Sequence, residues 1–142
     1  MMSAAYDPNN IFAKILRGEL PCHKVYEDEH VLAFMDIMPR CEGHTLVIPK
    51  APARGLLDIS PEALAGLALG VQTVAAAVMK ATMADGLTIL QSNEAAAGQV
   101  VFHMHVHIMP RWEGVKLAPH TSQMAPKEAL IAAADKIRAA LA

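Results

Sequence analysis

The sequence predicts an α+β domain: a five-stranded antiparallel sheet with helices packed on it. Two observations carry that expectation. The apolar pattern runs helix, three strands, helix, two strands, helix, so strands and helices do not alternate as they do in a parallel α/β fold. The first two strand segments are joined by a tight acidic turn, which makes them a hairpin.

The elements follow in order. "DPNNIFAKILRGEL" reads as a short helix, with Asp7 as cap and Pro8 in the first turn. Its stripe is Ile11, Phe12, Ile15 and Leu16, and Gly18 stops it. "CHKVYED" and "VLAFMD" read as strands around the turn Glu27 to His30, and "HTLVIPK" as a third, ended by Pro49. Ser60, Pro61 and Glu62 start a long helix that should reach about Ala84, with Gly86 as its C-terminal cap. "LTILQSN" reads as the fourth strand and "VFHMHVHIMP" as the fifth. Pro126 opens a last helix whose apolar face is Leu130, Ala134, Ile137 and Leu141.

The 142 residues fit one domain spanning 1–142, and a hydrophobic fraction of 54% supplies a core. Twelve basic and 14 acidic residues leave a net charge of −2, which argues against nucleic acid held by a broad electrostatic footprint. A local pocket for one phosphorylated small molecule remains compatible. Cys22 and Cys41 form no CxxC, and two lone thiols suit a reducing cytosol. The first ten residues lack the basic and apolar regions of a signal peptide, so a cytoplasmic location is expected. Ala63 to Met79 carries no charge, but its Ala and Gly content and its Gln72 and Thr73 favour a buried helix over a membrane span.

The chemistry concentrates in "FHMHVHIMPRW", residues 102–112. His103, His105 and His107 stand two apart, with Met104, Val106 and Ile108 between them. On a strand this period puts three imidazoles on one face. A solvated strand face is a weak explanation, because Thr, Lys and Glu serve that role without a special side chain. Two readings remain open on the residues alone. Neutral imidazoles two apart can share a zinc ion. Alternatively, one imidazole with its other nitrogen held as a donor is a nucleophile for phosphorus.

The surroundings add a resemblance. "GHTLVIPK" followed by "QSNEAAAGQVVFHMHVHIMPRW" resembles the histidine triad (HIT) family, whose signature is His-x-His-x-His and two apolar residues. Here His103 to Met109 is a full match. "IFAKILRGELPCHKVYEDE", "VLAFMDIMP" and "AGQVVFH" are similar to stretches of the Hint-like branch, so the likeness covers nearly the whole chain.

The resemblance implies a nucleotide hydrolase or transferase acting at an α-phosphate, usually of a purine nucleotide, without a cofactor. It implies His105 as nucleophile and a nucleotidyl-histidine intermediate, with His103 and His107 organising the site and His44 nearby. It implies that Asp36 binds the ribose hydroxyls and that Asn93 lies near the phosphate. Gly98 and Gln99 would flank the phosphate, and Ile11, Phe12, Ile15, Phe34 and Ile37 would enclose the base. Standing alone, Asp36 reads as a strand-end residue at a turn, Asn93 as a turn asparagine, and the apolar five as core.

Two positions depart from the branch. The CxxC that binds a structural zinc in some members is replaced by Asn10 and Ala13, so no metal is expected there. A serine common just after the Gln is Val100 here. Finally, the long helix is apolar around most of its circumference, and Gly66 and Gly70 lie four apart where a second copy could approach. With the resemblance, this predicts a homodimer with one continuous sheet. The rival functions are a dinucleoside polyphosphate hydrolase, a non-enzymatic nucleotide-binding protein, and a zinc hydrolase.

Overall fold

A computed structural model describes residues 5–120 and 123–141. Helix α1 is Ile11–Leu16; strands β1, β2 and β3 are Lys24–Glu27, Val31–Met35 and Thr45–Pro49. Helix α2 is Pro61–Thr82, β4 is Gly86–Leu90, β5 is Val106–Arg111 and α3 is Lys127–Leu141. The strands form one antiparallel sheet in the order β1-β2-β3-β5-β4. The expected α+β architecture is the observed one.

Strand alternation divides the sheet into two faces. Val31, Ala33, Met35, Val47, Val106 and Ile108 point to the side covered by α2 and α3 and join the main core with Leu67, Val74, Ala77, Leu130, Ala134 and Ile137. Leu32, Phe34, Leu46 and Ile48 point the other way and pack on Phe12 of α1. The small helix leaves part of that second face open. Leu46 pairs with His107 across β3 and β5, so His107 stands on the open face.

Four local expectations change. Helix α1 is capped by Asn10, whose Oδ1 accepts from Ala13 N–H at 2.9 Å; Asp7 instead closes the preceding turn through Asn9 N–H. Gly86 is not the cap of α2. Met83 takes that place with φ 52°, a left-handed conformation costing a non-glycine residue roughly 1–2 kcal/mol. The chain is already bonded to β5 at Asp85, whose N–H donates to Arg111 O, so the turn must be made earlier.

The fifth strand starts at Val106, not at Val101. His103 and His105 precede it, and Met104 N–H donates instead to Ala53 O in the connector after β3. Period-two facing nevertheless holds across the segment, because Met104, Val106 and Ile108 all enter the main core.

Gly66 and Gly70 do not present a gap to a second copy. A Cβ on Gly66 would lie 2.5 Å from the His30 ring, and one on Gly70 would lie 2.7 Å from Val31. Both glycines let α2 approach its own sheet. Among the described residues α2 is long and apolar enough to cross a membrane by length and composition, yet Leu67, Val74, Ala77 and Val78 are buried in the core.

Candidate active site

The open face holds a cleft of about 210 Å³. Ile11, Phe12, Ile15, Phe34 and Ile37 wall one side; Asp36, His105 and His107 stand beside them, and Gly98, Val100 and Val101 form a rim. Phe12 meets His105 edge-on at 5.0 Å and Phe34 at 5.4 Å, so α1 holds the apolar wall against the His105 imidazole. A larger, more open depression around Lys24, Glu27, Asp28, Lys50 and Arg138 mixes charges of both signs and contains none of these histidines. Apolar walls meeting a few convergent polar groups make the smaller cleft the candidate ligand site.

Hydrogen bonds set the state of each imidazole. His105 Nδ1 lies 2.7 Å from His103 O. A carbonyl only accepts, so Nδ1 carries the proton and Nε2 keeps a free lone pair. His103 Nε2 donates to Pro49 O at 2.8 Å, and its Nδ1 accepts from the Tyr6 hydroxyl at 2.6 Å. Arg40 N–H donates to His44 Nδ1 at 3.1 Å, so the His44 proton sits on Nε2. That N–H points at His107 Nδ1, 2.9 Å away, which leaves His107 with its proton on Nε2. The cleft is therefore lined by one imidazole with a bare Nε2 and one with an Nε2–H.

All four rings are held neutral. Burial pushes His44 down to about 4 and His107 to about 3, and it lowers His103 and His105 as well. Asp36 Oδ2 comes within 3.4 Å of His44 Nε2. With His44 neutral this is a carboxylate near an N–H rather than an ion pair, and His107 is the nearer acceptor. Asp36 is itself raised by burial, while Met38 N–H bonds its Oδ1 at 2.8 Å.

These shifts predict acid sensitivity. In the unfolded chain histidine titrates near 6.5. The folded chain binds fewer protons below that pH, so stability is full above it and is lost as pH falls toward the depressed folded values. Each histidine that stays neutral contributes up to about 1.4 kcal/mol per pH unit of loss. Asp36, with its raised value, offsets part of this at the acid end. The thermal midpoint should be flat above about pH 7 and fall steadily from pH 6 to 4.5. A midpoint unchanged from pH 7 to 5 would contradict the neutral cluster.

Asp36, His44 and His107 also place three potential metal-ligand atoms within 4.8 Å of one another. In the tautomers these hydrogen bonds select, His44 offers no lone pair to an ion. A ligand nitrogen needs a lone pair, and the Arg40 N–H commits His44 Nδ1 as acceptor, leaving Nε2 protonated. At the positions of the family's cysteines, the Asn10 side chain is used as a helix cap and Ala13 offers no ligand.

Ten residues singled out in the sequence line the cleft: Ile11, Phe12, Ile15, Phe34, Asp36, Ile37, Gly98, Val100, His105 and His107. His103 and His44 stand behind the two lining histidines and set their tautomers. Asn93 and Gln99 are elsewhere. Asn93 Oδ1 accepts from Leu56 N–H at 2.7 Å and the side chain pairs with Gln91. Gln99 accepts from Glu94 N–H and donates to Arg54 O and Val101 O. Both brace the loop that delivers Gly98 to the rim. Trp112 donates to Thr82 O and ties the end of β5 to α2.

Sequence reasoning missed Tyr6, Arg40 and His120. Tyr6 is 97 positions from the histidine it bonds, and Arg40 acts through its backbone, which no side-chain pattern reports. His120 lines the cleft from the irregular segment after β5.

The HIT domain family profile matches residues 17–114. This chain belongs to the HIT family. Among solved structures, a Hit-like protein of Bartonella henselae described as involved in cell-cycle regulation superposes with a TM-score of 0.90 at 54% identity, over 96% of this chain and 99% of that one. A hypothetical histidine triad nucleotide-binding protein of Sulfolobus tokodaii gives 0.85 at 38% identity, over 92% and 91%. The adenylylsulfatase HINT3 of Arabidopsis thaliana is 45% identical over 103 residues, which is 72% of this HIT chain and 52% of the plant protein. The chain thus spans about half the length of that relative. The three histidines of the HIT signature are His103, His105 and His107, of which His105 and His107 line the cleft.

Proposed function

We propose that this HIT protein is a nucleotidyl hydrolase or transferase that acts at the α-phosphate of a purine nucleoside phosphoramidate or a related nucleotide adduct. One observation carries the reading: His105 is fixed with Nδ1–H on the His103 carbonyl, so a bare Nε2 lines an apolar-walled cleft beside Asp36. His105 Nε2 attacks the α-phosphorus and the bond to the leaving group breaks with its electron pair. A leaving group that departs as a base takes up a proton from solvent water, which the later hydrolytic step returns. The positive charge on the phosphorylated ring is stabilised by the His103 carbonyl at Nδ1, and His107 Nε2–H donates to a phosphoryl oxygen. Water then attacks phosphorus, loses a proton, and the P–N bond to His105 breaks to release the nucleoside monophosphate.

The apolar wall suits a purine, and Asp36 suits the two hydroxyl donors of a ribose. The Arabidopsis relative, named for adenylylsulfate cleavage, supports hydrolysis of an adenylyl adduct in the broad sense. The reading includes the cytoplasm as location and no cofactor, nucleic acid or membrane as partner. Comparing adenosine 5′-phosphoramidate, adenosine 5′-phosphosulfate and a diadenosine polyphosphate separates the alternatives. We expect nucleoside monophosphate release fastest from the phosphoramidate. Faster release from the diadenosine compound would make this a dinucleoside polyphosphate hydrolase. Nucleotide binding with no turnover of any adduct would make it a binding protein.

The reading also includes a homodimer. The outward face of α2 exposes Ala65, Ala68, Leu69 and Ala76, and β4 is an edge strand with Ile89 and Leu90 exposed. An apolar edge strand and an adjoining apolar helix face are an unstable combination in water. Pairing β4 with its copy would cover both and continue the sheet. Sedimentation should give twice the chain mass at micromolar concentration; a monomeric mass would contradict the pairing.

A further inference from the structure

The turn after β2 is tied to the segment that follows β5. Ala118 N–H donates to Arg40 O at 2.9 Å, the Arg40 Nε–H donates to Ala118 O at 2.8 Å, and Ala125 N–H donates to Ile37 O at 2.9 Å. The same turn carries Asp36, and its Arg40 N–H orients His44. Two residues beyond the Ala118 anchor stands His120. Pro119 lies between them and removes one backbone torsion from the path, so the anchor limits where His120 can go. His120 is exposed and lines the cleft. It shares that lining with Asp36, His105 and His107.

Among the described residues, hydrogen bonds from backbone groups and Arg40 anchor this segment. What the position of His120 does provide is an imidazole that lines the same cleft as Asp36 and His107 but comes from a different segment of the chain. A tetrahedral phosphoryl group has more than one non-bridging oxygen, and donors from two sides hold it better than donors from one.

We propose that His120 is a substrate-contact residue, which binds the α-phosphoryl group of the nucleotide from the segment after β5 while His107 binds it from the sheet. The proposal rests on the nucleotide reading above and adds a recognition element from outside the triad. It also makes the 36–40 turn a shared support for the ribose-facing carboxylate and for a phosphate contact.

The test is calorimetric titration of wild type and His120→Ala with adenosine 5′-monophosphate and, separately, with adenosine. Losing one hydrogen bond to a charged oxygen at an exposed site should weaken the monophosphate roughly tenfold. Adenosine, which has no phosphate, should bind both proteins equally. Equal monophosphate affinity in the two proteins would overturn the proposal. So would an equal loss for both ligands, which would put the contact on the nucleoside. If wild type binds neither ligand, the nucleotide reading fails and this proposal fails with it, whereas binding by wild type with no effect of the substitution overturns His120 alone.

Discussion

His105→Ala abolishes the covalent adduct and lowers turnover by several orders of magnitude. Loss of a group that only moves a proton costs roughly 10²–10⁴-fold. Loss of the atom that forms the bond to phosphorus removes the two-step route itself, so the deficit should exceed that range. His105 is buried with its ring edge-on to Phe12, so circular dichroism of the variant should accompany the kinetics. Quenched reactions analysed by intact mass report the result. A variant that still forms a nucleotidyl adduct at the normal rate would assign the nucleophile elsewhere.

The second large effect is a gain. Val100→Ser should speed turnover of substrates with basic amine leaving groups by roughly 10²-fold, the scale of one hydrogen-bond donor acting at a transition state. An amine must gain a proton as its P–N bond breaks, and the resemblance to the Hint-like branch implies that many of its members offer a hydroxyl at this position. Here Val100 is 70% exposed at the rim of the cleft, where a smaller polar side chain meets no packing. Exposed substitutions of this kind usually change stability by less than about 0.5 kcal/mol. The gain is smaller if the His107 N–H or a water already serves the leaving group. Substrates whose leaving group departs unprotonated should change little. Equal rates for both proteins on both substrate types would show that position 100 does not limit the chemistry.

Much of this arrangement is legible in the sequence because two periodicities carry it. Period two in residues 103–108 places the imidazoles opposite Met104, Val106 and Ile108, and the structure keeps that facing even though the strand begins only at Val106. Helical spacing in Ile11, Phe12 and Ile15 places them together on the cleft wall. Where the reading departs from the structure, the deciding partner is distant in sequence or is backbone. Gly66 and Gly70 look like a contact face until His30 and Val31 are seen against them. Asn93 and Gln99 sit beside the motif in sequence, but Leu56, Gln91, Arg54 and Glu94 claim their side chains. The tautomer of His105 depends on a carbonyl, and that of His44 on an amide, so neither has a residue-type signal.

The stereochemical course at phosphorus tests the central claim most directly. A substrate made chiral at the α-phosphorus by sulfur substitution is hydrolysed in isotopically labelled water and the product configuration is read by phosphorus NMR. Each in-line displacement inverts the centre. Attack by His105 followed by attack by water is two displacements, so the account predicts net retention. Net inversion would mean that water attacks the substrate directly, and the bare Nε2 of His105 would then be a base and not the nucleophile.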